Sequence, residues 1–185
     1  AAPCRWVSRN ASLLLPVLFG QATRFSAWLL DSDKCYLASV QLGVTTETAD
    51  AEGKVLETRP VEVAVAQIDD ALARFRGEIE QVPPMYSALK RAGRPLYELA
   101  RKGLTVERAA RRIRIERLDR IGFSGARLEI RVACSKGTYI RTLAEDIGRV
   151  LGCGAHLAGL RRIAAGSFAI EQAVTLDHLA SLDDD

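Results

Sequence analysis

Histidine is nearly absent from this sequence: its 185 residues include only His156 and His178. That leaves little room for histidine-based acid–base chemistry, so any reaction rests more naturally on Asp, Tyr and Arg. His156 follows Gly152-Cys153-Gly154-Ala155 and reads as a packed or capping group. The four cysteines (Cys4, Cys35, Cys134, Cys153) form no C-x-x-C pair. Their wide spacing argues against a zinc cluster and against a disulfide scaffold, so no metal is expected. No run of eighteen apolar residues occurs, which excludes an ordinary membrane-spanning helix. The most apolar early stretch, residues 13–20, is interrupted by Pro16 and lacks the basic lead and cleavage pattern of a signal peptide. A cytoplasmic protein is expected. P-loop, G-x-G-x-x-G, H-E-x-x-H and G-x-S-x-G signatures are all missing.

What is present is an ordinary globular composition, 48% hydrophobic and 26% charged, with a net charge of +3. The charge is segregated. Residues 89–120 hold eleven basic side chains against four acidic ones, a net +7, so the rest of the chain sums to −4. Such a segment suits a polyanion-binding face, and it equally suits a solvated surface.

Residues 18–30 read as a helix, with Phe25, Trp28 and Leu29 at i, i+3, i+4. Residues 34–43 alternate as a strand, and residues 54–58 are expected to return beside it as a hairpin across a polar turn. A helix is expected over 65–75, with Ile68, Leu72 and Phe75 on one face, and a short one over 96–102, stopped by Gly103. Residues 109–121 and 127–134 alternate as strands. Thr138 is placed to cap a helix running to Leu151, whose Ile140, Leu143, Ile147 and Leu151 share a face. Residues 157–168 read as strand and 175–182 as a last short helix. Without a βαβ rhythm, repeat or linker, the pattern predicts one α+β domain.

Four motifs carry a resemblance. They are Lys34-Cys35-Tyr36 with Leu42-Gly43; the run Val82-Pro83-Pro84-Met85-Tyr86-Ser87-Ala88-Leu89-Lys90; Cys134-Ser135-Lys136-Gly137-Thr138-Tyr139-Ile140-Arg141; and Gly152-Cys153-Gly154-Ala155-His156-Leu157 followed by Leu160-Arg161-Arg162. In this order and spacing, over residues 13–182, the sequence resembles the TruB-type tRNA pseudouridine synthases. The resemblance implies the pseudouridine synthase fold, a mixed, largely antiparallel sheet flanked by helices. It implies isomerisation of the T-loop uridine at position 55 of tRNA, with no metal or organic cofactor and no obligate protein partner. The base must leave its stack to enter a pocket. By resemblance, Tyr36 stacks on that base, Tyr139 and Leu160 contact it, and Asp50 lies near it. Arg141 supports an aspartate nucleophile, as a nearby cation favours the ionised form. Without the family context, Tyr36 and Leu160 read equally as core residues and Arg141 as a surface helix residue. Lys90, Arg91, Arg94, Arg101 and Lys102 would meet the phosphates of the tRNA T-arm.

One motif does not match. The family's nucleophile lies in a run like G-H-T-G-x-L-D-P-L-A-x-G shortly before L-L-P, which is Leu14-Leu15-Pro16 here. Counting back puts Ser8 at the aspartate position, Arg9 at the following proline and Pro3 at the histidine. A serine supplies no carboxylate, and no adjacent base is visible to activate it. Residues 1–12 therefore read as an aberrant or non-native segment, as a frameshift or mis-joined start would produce. Residues 13–182 read as a catalytic domain lacking the family's opening strand and C-terminal extension. Arg141 is then expected to face no counter-ion, a stranded charge if buried. The alternative to an enzyme is an inactive, fragment-like module that binds the T-arm without turnover.

Overall fold

The computed structural model describes residues 11–91 and 93–181. The chain opens with β1 (Ala11–Leu13), then a 3₁₀ turn (Gly20–Phe25) leading into α1 (Ser26–Asp31). β2 (Lys34–Leu42) is followed by a small hairpin of β3 (Val44–Thr46) and β4 (Val55–Thr58), then α2 (Val65–Ala73) and β5 (Gly77–Gln81). A second small hairpin, β6 (Lys90–Arg91) and β7 (Arg94–Pro95), runs straight into α3 (Leu96–Arg101). The long strands β8 (Arg111–Ser124) and β9 (Arg127–Cys134) precede α4 (Ile140–Val150). β10 (Ala155–Ala165), β11 (Phe168–Ala169) and α5 (Leu176–Ala180) complete the fold.

The main sheet runs β1-β10-β2-β9-β8-β5, with β11 also on β10. Its pairings are antiparallel except that of β1 with β10. The α+β expectation therefore holds, and the cause is visible in the strands. Along β9, Leu128, Ile130, Val132 and Cys134 are buried at 0–2% exposure, while Arg127 and Arg131 point the other way. The apolar row continues across β2 as Ala38, Val40 and Leu42 and onto β8 as Ile113, Ile115 and Leu118. Helix α4 lays Ile140, Leu143, Ala144 and Ile147 onto this face, and α2 adds Ile68 and Leu72. Each fully buried Leu or Ile side chain stabilises the fold by about 1.5–3 kcal/mol. Gly148 lets α4 approach β10 closely: a Cβ there would collide with the backbone of Gly154 and Ala155.

Several expectations change. Residues 18–30 are not one helix: a 3₁₀ turn precedes a short α1, and Phe25 and Trp28 stay 64% and 56% exposed. Among the described residues neither element buries a side chain fully, so a continuous apolar stripe gains little there. Residues 55–58 pair with β3 rather than β2, because both sides of β2 are already taken by β9 and β10. Thr138 does not cap α4. Its hydroxyl donates to the Ser135 carbonyl, and Tyr139 holds the cap position. Strand β5 and the β6–β7 hairpin are not legible in the sequence, since residues 77–81 alternate weakly and the hairpin has only two residues a side. β1 straddles the boundary drawn at residue 12 and occupies the sheet edge beside β10.

Candidate active site

Three of the four motifs fall on β10, β2 and β9, which are neighbours in the sheet, and the third continues into α4. On β2, Tyr36 packs partly buried against the core, opposite Val132 of β9 and Arg162 of β10. Leu160 stands opposite Ala38 and is also partly buried, so it and Tyr36 are diagonal neighbours on the helix-covered face. Burial pushes the Tyr36 phenol above its ordinary pKa, the nearby Cys134 thiol adds to this, and Arg162 opposes it.

Arg141, at the start of α4, is the most tightly held of the expected residues. Its Nη1 donates to Asp50 Oδ2 at 2.9 Å, and its Nη2 donates to the Tyr86 carbonyl at 2.6 Å. A longer contact of 3.5 Å reaches the Thr48 carbonyl. The stranded charge is thus corrected: Asp50 is its counter-ion, with the two side chains 20% and 10% exposed. Asp50 is itself fully engaged. Its other oxygen, Oδ1, accepts from the Thr48 hydroxyl at 2.5 Å and from the Glu52 amide at 3.1 Å. The Thr46 hydroxyl donates to its carbonyl at 2.6 Å, and the residue bridges to Leu157 of β10. A carboxylate so occupied orients an arginine; it is not free to attack a substrate carbon. A guanidinium has five N–H donors. Those not engaged by described residues remain for an anion or a polar base edge.

Sequence reasoning misses Gln81. This side chain is 3% exposed at the end of β5. Its Oε1 accepts from the Tyr139 amide at 2.8 Å and its Nε2 donates to the Tyr139 carbonyl at 3.1 Å. It does the work of the missing side-chain cap on α4 and fixes the backbone on which Tyr139 and Arg141 sit. Gln81 directly precedes the Val82–Lys90 motif, but the strand it ends is not itself legible, so the sequence carries no signal for this role. Tyr86 closes the cluster, its hydroxyl donating to Glu47 Oε1 at 3.3 Å.

The basic segment divides. Arg114, Arg117 and Arg120 pair with Asp33, Asp119 and Asp69, and Arg108 donates to the Pro83 carbonyl. Lys90, Arg94, Arg101 and Lys102 lie on the β6–β7 hairpin and α3, where Arg101 sits over the Tyr97 ring at 5.8 Å. Arg91 contributes its backbone to β6. His156 is buried, with Nδ1 2.9 Å from the Val44 carbonyl. Ser8 lies outside the described residues. Among the described residues, no group of three or more His, Cys, Asp or Glu could hold a metal, and no helix is long and apolar enough to cross a membrane.

A largely antiparallel sheet with helices packed against it is the architecture of the pseudouridine synthases. It is similar to the protein in the crystal structure of a Cbf5-Nop10-Gar1 complex, with a TM-score of 0.68 at 31% identity over 90% of this chain and 41% of that one. A second likeness, at 27% identity and TM-score 0.63, covers 90% of this chain and 39% of the other; that structure is an H/ACA RNP bound to a substrate RNA containing 2'-deoxyuridine. The chain belongs to the TruB family of pseudouridylate synthases: that family's N-terminal domain model matches residues 9–140. The C-terminal domain model of tRNA pseudouridylate synthase B matches residues 141–184. The chain is 58% identical over 174 residues to tRNA pseudouridine synthase B of Dechloromonas aromatica (strain RCB), covering 94% of this chain and 58% of that protein. It is 58% identical over 172 residues to the corresponding protein of Stutzerimonas stutzeri (strain A1501), covering 93% and 56%. The chain thus spans less than three-fifths of the length of these curated relatives.

Proposed function

We propose that this chain serves a cytoplasmic tRNA pseudouridine synthase, binding the T-arm and receiving the flipped T-loop uridine at position 55. The observation that carries the reading is the Arg141 cluster. One guanidinium is fixed at once by Asp50, the Tyr86 carbonyl and the backbone that Gln81 holds. Preorganised charge of this kind lowers a barrier because it costs no rearrangement when the reaction occurs. Tyr36 and Leu160 supply a flat ring and an apolar wall to replace lost base stacking, and Tyr139 adds a second ring at the start of α4. Lys90, Arg91, Arg94, Arg101 and Lys102 hold phosphates. The residues named need no metal or organic cofactor.

The carboxylate nucleophile is the part in question. Ser8 at its position favours a second reading, in which the chain binds the T-arm without turnover. The deciding measurement is pseudouridine formation on a T-arm stem-loop by this chain and by a version carrying Ser8→Asp in a restored motif. Turnover only after restoration supports a uridine site complete except for its nucleophile. Turnover by the unaltered chain removes the need for a carboxylate at position 8, and no turnover by either leaves the binding module. Tyr36→Ala is expected to weaken capture of the flipped uridine by about 1–3 kcal/mol. An equal loss for RNA lacking that base would show misfolding instead of lost stacking.

A further inference from the structure

Leu160 of the last motif has a place in the proposed uridine site; the two arginines beside it do not. Arg161 lies opposite Leu37 and so projects from the face away from the helices. Arg162 lies opposite Tyr36, and cross-strand partners in one register present their side chains on one face. Its Nε and Nη2 donate to the Leu14 carbonyl at 2.9 and 2.7 Å, and its own carbonyl accepts from the Leu14 amide at 3.1 Å. Main chain and side chain of Arg162 are thus both tied to Leu14, itself 8% exposed. A β-bulge falls between Arg162 and Ala164 and re-aims the strand at this point.

Among the described residues Arg162 makes no ion pair. Its guanidinium is held on the Leu14 carbonyl and stands across from Tyr36 in the strand register, where its positive charge favours the ionised phenol against the effect of burial. The other titratable group acting on that hydroxyl is the Cys134 thiol on β9, buried and held neutral. Lys34, earlier on β2, spends its ammonium on the carbonyls of Leu29, Leu30 and Ser32.

We propose that Arg162 is a positioning residue for Tyr36, fixing the phenol's orientation and holding a positive charge against its oxygen. The fork geometry suits this: two donors grip Leu14 and leave the remaining edge of a planar, always-charged group for the phenol. Leu14 thereby connects the segment after β1 to the ring. This rests on the reading of Tyr36 as a uridine-contacting residue, but the geometry and its test do not require turnover.

The test is titration of the Tyr36 phenol by NMR in the intact chain carrying labelled tyrosine, with Tyr36→Phe assigning the signal. In Arg162→Gln the midpoint should move to higher pH by at least about half a unit, and in Arg162→Lys by less, because the charge remains. If Arg162→Gln does not fold, Arg162→Met, which keeps the apolar stem, replaces it with the same expectation. An unmoved midpoint in a folded, charge-free variant overturns the proposal. T-arm affinity measured beside it separates the two readings. A moved midpoint with unchanged affinity for uridine-containing T-arm in both Arg162→Gln and Tyr36→Ala keeps the positioning role and sinks the uridine contact.

Discussion

The cluster around Arg141 and the basic arm formed by β6, β7 and α3 are both built from charged residues, yet they are held in opposite ways. In the cluster, nearly every polar atom has a named partner, and those partners come from three separate segments of chain. In the arm, Lys90, Arg94 and Lys102 extend toward solvent from a hairpin with two residues a side and the end of a short helix. Under the proposed function this is a division of labour. A group that meets one atom of a base has to be preorganised, whereas groups that meet phosphates need only charge and reach.

The contrast breaks most visibly at Arg141. Arg141→Met leaves the Asp50 carboxylate buried without its cation, so unfolding in urea should show a loss of about 3–5 kcal/mol. Adding Asp50→Asn should recover a large part of it; simple additivity of the two losses would mean the pair is not coupled. Next comes Gln81→Leu, which removes the acceptor of the Tyr139 amide and one of the two donors to its carbonyl, the other being the Leu143 amide. A loss of about 2–3 kcal/mol is expected, with faster hydrogen exchange at the Tyr139 amide. Unchanged exchange there would remove the clamp from the account.

A smaller effect is read through pH. Cys134, at the foot of the turn leading to Tyr139, has its thiol pushed up from 9.0 to about 11, mainly by burial. The folded state favours the protonated form. Its contribution is therefore fully present below about pH 9 and lost as pH rises through about 11, on the order of 2 kcal/mol. Cys134→Val should lose correspondingly less stability than the parent over that window; parallel curves would show that Cys134 does not carry the change. The arm gives the smallest effect on folding. Lys90→Ala, Arg94→Ala or Lys102→Ala should each shift stability by under about 0.5 kcal/mol. Each should still reduce the salt slope of T-arm binding by roughly one, since one phosphate fewer is neutralised. A slope untouched in all three would leave the arm as plain solvated surface.

How much of this is legible in the sequence follows the same division. Period-two alternation announces β2, β8 and β9, and a 3.6-residue stripe announces α2 and α4, because those elements bury one face each. Residues 18–30 carry an equally good stripe, but among the described residues Phe25 and Trp28 stay largely exposed, and local pattern alone cannot report that. The ring residues Tyr36 and Tyr139 and the cation Arg141 are singled out by motifs rather than by periodicity. The Asp50–Arg141 pair is missed because 91 positions separate its members and only the folded loop at 46–50 brings them together. Gln81 is invisible for a simpler reason: it acts on main-chain atoms, which every sequence possesses.

Gly148 gives α4 a mechanical meaning. The helix is anchored against β10 where the Gly148 carbonyl accepts from the Gly154 amide at 2.9 Å, and Arg141 stands seven residues away, about 10 Å along the axis. A rigid rod pinned at one end is a lever. One methyl group added at Gly148 would be felt as a tilt at the guanidinium, so the tolerance of the cluster is set two turns away, by a residue that touches none of its members.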